Sequence, residues 1–239
     1  MLIELGGVRL LTDPVLRGRV AHLRRHPRPP PPELSERLDA VLVSHLHYDH
    51  LDLPSLRRIQ APRVLAPRGA GEFLRRAGLR GITEVAAGEA VEVSGVPVAA
   101  VRASHDDRRR PVGGPRAAPI GFVVGRAPAV YFAGDTDLFD EMAALGPLEV
   151  ALLPVAGWGP KLGPGHMDAA AAARAAALIR PRVAIPVHWG TLHPRTVRRG
   201  GWFTRPPREF AAQVAALASD VEVRVLEPGA SLRLSAYAL

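Results

Sequence analysis

Cysteine is absent from the 239-residue chain. That excludes disulfides, iron–sulfur clusters, thiolate zinc sites and a cysteine nucleophile together. Any metal must therefore sit on His, Asp and Glu. Lysine is nearly absent too: Lys161 is the only one, so the formal net charge of +8 rests on arginine. Aromatic residues make up 5% of the chain. No apolar run approaches the roughly 18 residues a membrane span needs. Met1 to Gly7 show no basic stretch followed by an apolar one, so no signal peptide is expected. No period of roughly 20–50 residues recurs, which argues against a solenoid.

The remainder is globular in composition, with 47% hydrophobic and 23% charged residues. A single domain over residues 1–239, located in the cytoplasm, is expected. The arginines are scattered along the chain rather than gathered on one helix. They accompany a general bias towards alanine and proline, as in 169–177 and 27–32. Charge alone thus predicts weak, non-specific contact with nucleic acid and no specific nucleic-acid partner.

Short strands dominate the predicted elements. They fall at 2–5, 8–12, 40–44, 63–66, 90–93, 97–102, 120–124, 130–133, 150–153, 183–187, 221–226 and 231–234. Helices are predicted at 54–60, 69–77, 138–145, 169–179 and 207–218, with Asp52 and Asp168 as N-caps of the first and fourth. Residues 27–32 read as an extended proline-rich loop. Helices appear in both halves, and the halves are alike in content. That predicts an α/β protein with two packed sheets and helices outside, a four-layer αββα sandwich.

Ser44-His45-Leu46-His47-Tyr48-Asp49-His50 is the densest polar cluster, and it follows a buried strand. In an extended segment, residues two apart face the same way, so His45 and His47 can converge on one ion. Where the chain turns, Asp49 and His50 can be directed at a second. Three imidazoles and a carboxylate would be costly to desolvate without a partner. Three later strands each end in one further ligand-type residue: His105, Asp135 and His188.

These residues resemble the metallo-β-lactamase-fold hydrolases. His45-Leu46-His47-Tyr48-Asp49-His50 matches their His-x-His-x-Asp-His signature, and His105, Asp135 and His188 match the later ligands in order. Ser44 to Asp52, Gly165-His166-Met167-Asp168 and His188-Trp189-Gly190-Thr191 look like the N-acyl-phosphatidylethanolamine phospholipase D branch, with L-ascorbate 6-phosphate lactonases as neighbours. Asp52 stands where glyoxalase-type members carry glycine, and Ser104-His105-Asp106-Asp107 replaces their Pro-Gly-His-Thr run. Both departures argue against glyoxalase and lactamase activity.

The resemblance implies two divalent ions, zinc first, with manganese or iron also compatible. His45, His47 and His105 would bind one. Asp49, His50 and His188 would bind the other, with Asp135 bridging. The ions would share a hydroxide, which Asp49 could also orient. His166 would lie by the substrate, where it could protonate a leaving group or hold a phosphate. The implied reaction is hydrolysis of a phosphodiester or a lactone, in a small-molecule or lipid-like ester that could be anionic. The alternative is a nuclease of the same fold, although no insertion is long enough for a substrate arm. A non-catalytic binding module is disfavoured by the complete ligand set.

Other residues carry weaker expectations. Asp13 could orient a metal-bound His or simply precede Pro14 in a turn. Thr136 and Thr191 could hydrogen-bond ligands or cap. Arg108, Arg109 and Arg110 could hold an anion, but a solvated basic loop is the favoured reading. His22, His26 and His193 are expected at the surface. Trp158, Trp189 and Trp202 are expected in the core, with a pocket wall as the other possibility.

Overall fold

Several apolar runs are short and buried on both faces, which suits parallel strands covered on two sides. The computed structural model describes residues 1–26, 29–110 and 112–234. In chain order its first half contains β1 (Leu2–Leu5), β2 (Val8–Thr12), β3 (Arg19–Val20), β4 (Leu23–Arg25), β5 (Ala40–Leu42), α1 (Leu53–Arg58), β6 (Val64–Pro67), α2 (Gly71–Arg76) and β7 (Ile82–Val85). There follow β8 (Ala90–Val93), β9 (Val96–Arg102), β10 (Ile120–Gly125), β11 (Ala129–Phe132), β12 (Val150–Pro154) and α3 (Ala169–Ile179). The chain closes with β13 (Val183–Val187), β14 (Leu192–Pro194), α4 (Gly201–Thr204), α5 (Pro206–Leu217) and β15 (Glu222–Val223).

One sheet has the order β1-β2-β5-β6-β7, the other β15-β13-β12-β11-β10-β9-β8, and a small third sheet is β14-β4-β3. Leu10, Leu42, Leu65, Phe122, Val124 and Leu152 fill the layer between the two large sheets. Leu56, Ile59 and Leu74 cover the outer face of the first. Ala172, Ala176, Phe210 and Val214 cover the outer face of the second. The architecture is helix, sheet, sheet, helix, the predicted αββα sandwich of the metallo-β-lactamase fold.

Local chemistry explains the elements. Ser94 and Gly95, at φ 47° and 85°, turn β8 into β9. Two positive φ values match the twist a two-residue hairpin needs. Asp52 accepts from Ser55 N at 3.1 Å and Asp168 from Ala171 N at 2.8 Å, so both predicted caps form. Three predictions fail. Residues 138–145 form a 3₁₀ helix, Asp140–Leu145, instead of an α-helix; only Met142 is buried, so no apolar stripe holds a longer one. The strand predicted at 221–226 pairs only through Glu222 and Val223, because β13 soon reaches Pro186, which has no N–H to donate. Residues 231–234 form no strand, although Leu232 and Leu234 pack against the intersheet core. The proline-rich loop falls partly outside the described residues, which resume before a 3₁₀ turn at Pro32–Ser35.

Topology positions the site. β11, β12 and β13 run parallel, and β9 points the same way because β10 is antiparallel to both its neighbours. Their C-terminal ends therefore open on one edge. The loops after β5, β9, β11, β12 and β13 carry every ligand-type residue predicted from the sequence.

Candidate metal centre

The structure brings all seven predicted ligand residues together. His45 is fully buried where the chain leaves β5. Its Nε2 lies 3.1 Å from His47 Nδ1, and His105 Nε2 lies 2.9 Å from that same Nδ1. The three rings meet edge-on with centroids 4.7–4.8 Å apart. One ring nitrogen cannot satisfy two others with a single proton, whereas a cation at their centre satisfies all three.

The second cluster is richer in carboxylate. His50 Nε2 and His188 Nε2 are 3.1 Å apart. Asp49 Oδ2 lies 3.6 Å from each of them. Asp135 reaches both, Oδ2 to His50 and Oδ1 to His188, at 3.3 Å each. Asp135 also groups with His105 and His166, so it stands between the clusters. Its buried Oδ1 accepts no hydrogen bond among the described residues. A buried carboxylate oxygen without a hydrogen bond is expensive, and this one belongs to a group of side chains that could hold a cation.

The imidazoles are fixed from behind. His105 Nδ1 donates to Gly165 O at 2.6 Å and His188 Nδ1 to Ala156 O at 2.8 Å. His50 Nδ1 donates to Asp13 Oδ2 at 2.7 Å. His45 Nδ1 donates to Ser44 Oγ at 2.9 Å, and that hydroxyl donates to Asp13 Oδ2 at 2.5 Å. This network assigns the tautomer that leaves each Nε2 bare for a ligand bond. Asp13 thus orients two histidines and also accepts from Ser44 N at 2.8 Å. Asp13 and His188 sit at φ 40° and 62°, a conformation costly for residues with a Cβ and retained here at the site. Gly134 and Gly165 have positive φ and no room for a side chain. A Cβ would meet Ser44 Cβ at 2.6 Å and His105 Nδ1 at 2.9 Å, respectively.

Electrostatics separates the clusters. Burial pushes His105 down to about 4 and His45 well below its usual value, so both favour the neutral form that a metal ligand needs. Burial also opposes charge on His50 and His188, but Asp135 and Asp49 outweigh it and raise both. Asp49 is held at about 2: burial pushes it up, and its interactions with His50 and His188 more than offset that. Two buried carboxylates therefore demand positive charge at this point, as a divalent ion would supply.

His166 is half-buried beside these groups. Its Nε2 is 3.5 Å from Asp135 Oδ2, and its ring meets His105 edge-on at 4.6 Å. A cavity of about 290 Å³ reaches Asp49, His50, Asp135 and His188. Its walls are mainly apolar, including Leu16, Trp158, Trp189 and Leu192, with Arg25 as the cation among them. Trp158 and Trp189 are thus pocket walls, and Trp158 is 39% exposed, contrary to its expected place in the core. Thr191 lines the cavity as well, while Thr136 accepts from Ser104 N at 2.8 Å and braces the loop before His105.

Arg109 corrects the expectation of a solvated loop. It is buried, and its Nη1 donates to Leu46 O at 2.5 Å and to Leu51 O at 3.2 Å. Nη2 reaches Leu51 O as well, at 3.2 Å. Its guanidinium lies over Tyr48 and Phe73, 4.3 and 5.1 Å from the ring centroids. Arg109 therefore ties the His105 loop to the backbone on both sides of His47, Asp49 and His50. Its signal in the sequence is the run of three arginines just after His105. Arg108 pairs with Asp106, and Arg110 is exposed. His22 and His26 are exposed as expected; His193 is half-buried, edge-on to Phe203. Ser44 was not singled out as a functional residue, because a serine beside a motif carries no signal until the fold brings Asp13 to it.

Residues 8–189 match the family described as Beta-lactamase superfamily domain, and the chain belongs to that family. It is 35% identical over 239 residues to a UPF0173 metal-dependent hydrolase of Methanopyrus kandleri, covering 96% of this chain and 94% of that one. Among solved structures, Igni18, a metallo hydrolase from Ignicoccus hospitalis, is 26% identical with a TM-score of 0.73, over 97% of this chain and 92% of that one. CmlA, a diiron β-hydroxylase from Streptomyces venezuelae, shares the fold at a TM-score of 0.72 and 19% identity, over 94% of this chain and 50% of its own.

Proposed function

We propose that the chain, acting as one unit over residues 1–239, is a metal-dependent hydrolase that holds two divalent cations. His45, His47 and His105 would hold one and Asp49, His50 and His188 the other, with Asp135 shared. One observation carries the reading: seven ligand-type side chains from four loops converge, while protein oxygens behind four of the histidines fix each Nε2 inward. The metal-dependent hydrolase named above, similar along nearly the whole chain, supports it.

When bound, such ions supply Lewis acidity and make water a nucleophile near neutral pH. The remaining chemistry belongs to the chain. Asp49, held ionised, accepts a hydrogen bond from a proton-bearing oxygen and so orients it. His166, half-buried beside Asp135, donates a proton to the departing oxygen or holds a substrate phosphate. The apolar cavity walls favour an ester with an apolar part and exclude bulk water from the reacting atoms. A phosphodiester or a lactone fits this arrangement. Zinc suits the imidazole-rich donor set best, with manganese and iron next.

The test is elemental analysis of metal-replete protein, joined to a screen of bis(p-nitrophenyl) phosphate and simple lactones. Bound metal with turnover that disappears on chelation supports the proposal. Metal-replete protein without hydrolysis of either class would refute the substrate assignment.

A further inference from the structure

The arginines that look scattered in the sequence are gathered by the fold. Residues 14–32 and 187–208 each carry five arginines and no Asp or Glu. The two segments are joined through the β14-β4-β3 sheet. Register sorts its faces. Val20, Leu23 and Pro194 lie opposite one another and are buried. Arg19 lies opposite Arg24, and Arg24 opposite His193, with both arginines exposed. Like charges directly opposite in an antiparallel pair destabilise it unless an anion joins them.

His193 also lines a concavity of about 520 Å³ with Arg195, Arg198 and Arg199. Among the described residues, no carboxylate forms an ion pair with Arg19, Arg24, Arg195, Arg198 or Arg199. His26 is held below its usual value by partial burial first, then by Arg199, His193 and Arg24, which marks positive potential on this face. The sheet meets the proposed site by its other face: Arg25 and Leu192, partners across β4 and β14 on the side of Leu23 and Pro194, line the cavity that reaches His188. His193 lies five positions after His188, at most about 17 Å along an extended chain.

We infer that this face is a separate site for a polyanion, with two or more phosphate-type groups lying across Arg24, Arg19 and the 193–199 concavity. The guanidinium fork matches phosphate oxygens in pairs. A small anion is favoured over a nucleic acid because β3 and β4 are two and three residues long, too short for a stripe that tracks a backbone. It is favoured over a membrane because no exposed large hydrophobic side chain belongs to these strands or to the 193–199 loop.

The test titrates metal-loaded protein with inorganic tripolyphosphate by calorimetry at low and high salt, with metal content checked afterwards. Wild type should bind, more tightly at low salt. Arg24→Gln and Arg199→Gln, both exposed positions, should each weaken binding by roughly tenfold or more. Turnover of bis(p-nitrophenyl) phosphate, too small to reach the arginines, should be unchanged. No binding by wild type, or equal binding by both variants, would overturn the inference. So would arginine-dependent capture of duplex DNA or phosphatidylglycerol vesicles with tripolyphosphate silent. Failure of the hydrolase reading looks different: wild type would lack bound metal and turnover, while the titration still decides the arginine face.

Discussion

Arg109→Met tests how the two ligand loops are held in register. Methionine keeps the length and apolar stem but removes three hydrogen bonds to the Leu46 and Leu51 carbonyls. Leu46 and Leu51 are 1% and 0% exposed, so water cannot replace the lost donors. A buried carbonyl left unsatisfied costs about 1–3 kcal/mol. Two of them, with the lost stacking on Tyr48 and Phe73, give about 3–5 kcal/mol. For a chain of this size that lowers Tm by about 6–20 °C. The backbone between the two carbonyls carries His47, Asp49 and His50, so its slack would reach the proposed ions. Metal affinity should fall about 10–100-fold. Arg109→Lys should recover part of the stability and less of the affinity, because an ammonium cannot fork across two carbonyls. Thermal unfolding and competition with a chromogenic chelator read the two effects. A Met variant that melts within about 1 °C of wild type and keeps its metal affinity would refute the reasoning.

Three other perturbations address individual residues. His166→Ala should keep both ions and its Tm yet lose about 10²–10⁴-fold in turnover, less with leaving groups of low pKa, as kinetics on a substrate series would show. Loss of metal in that variant would make His166 a ligand. Gly165→Ala places a Cβ 2.9 Å from His105 Nδ1 at φ +77°; it should weaken the ion held by His105 more than the other, measured by stepwise chelation. On acidification the two positions should empty in order. His105, at about 4 through burial, stays neutral at pH 5, and burial likewise holds His45 well below its usual value. His50 and His188 are raised, because Asp135 and Asp49 outweigh burial, so protons compete with the cation there first. Dialysis from pH 8 to pH 5 followed by elemental analysis should find the Asp49–His50–His188 ion released first; simultaneous release would contradict this.

The fold was legible wherever an element buries a face of its own. β5, β12 and β13 read from apolar runs, and α1 and α3 from Asp52 and Asp168 at their starts. The three-stranded sheet was illegible because β3 and β4 are arginine-rich fragments that form only through β14, far along the chain. The same separation hid the basic face, since neither segment alone is a charge run. In the site, the seven ligand-type residues were legible because metal chemistry fixes residue type and places it at strand ends. Most of their supports were not. Gly165 and Ala156 contribute backbone carbonyls, which carry no identity, whereas Asp13 was legible as one of two readings, orienting residue or turn, and the pairing of β2 with β5 decides for the first. Arg109 was misread because sequence treats arginine as solvated, whereas here carbonyls and ring faces replace the water.

The central claim is that two ions share Asp135. Its most direct test is metal stoichiometry by elemental analysis of metal-replete wild type beside Asp135→Ala and His105→Ala. The account predicts two ions per chain in wild type. It predicts weakened binding at both positions in Asp135→Ala, and selective loss of one ion in His105→Ala. Metal-replete wild type with no bound ion, or an Asp135→Ala variant that keeps two at unchanged affinity, would contradict it.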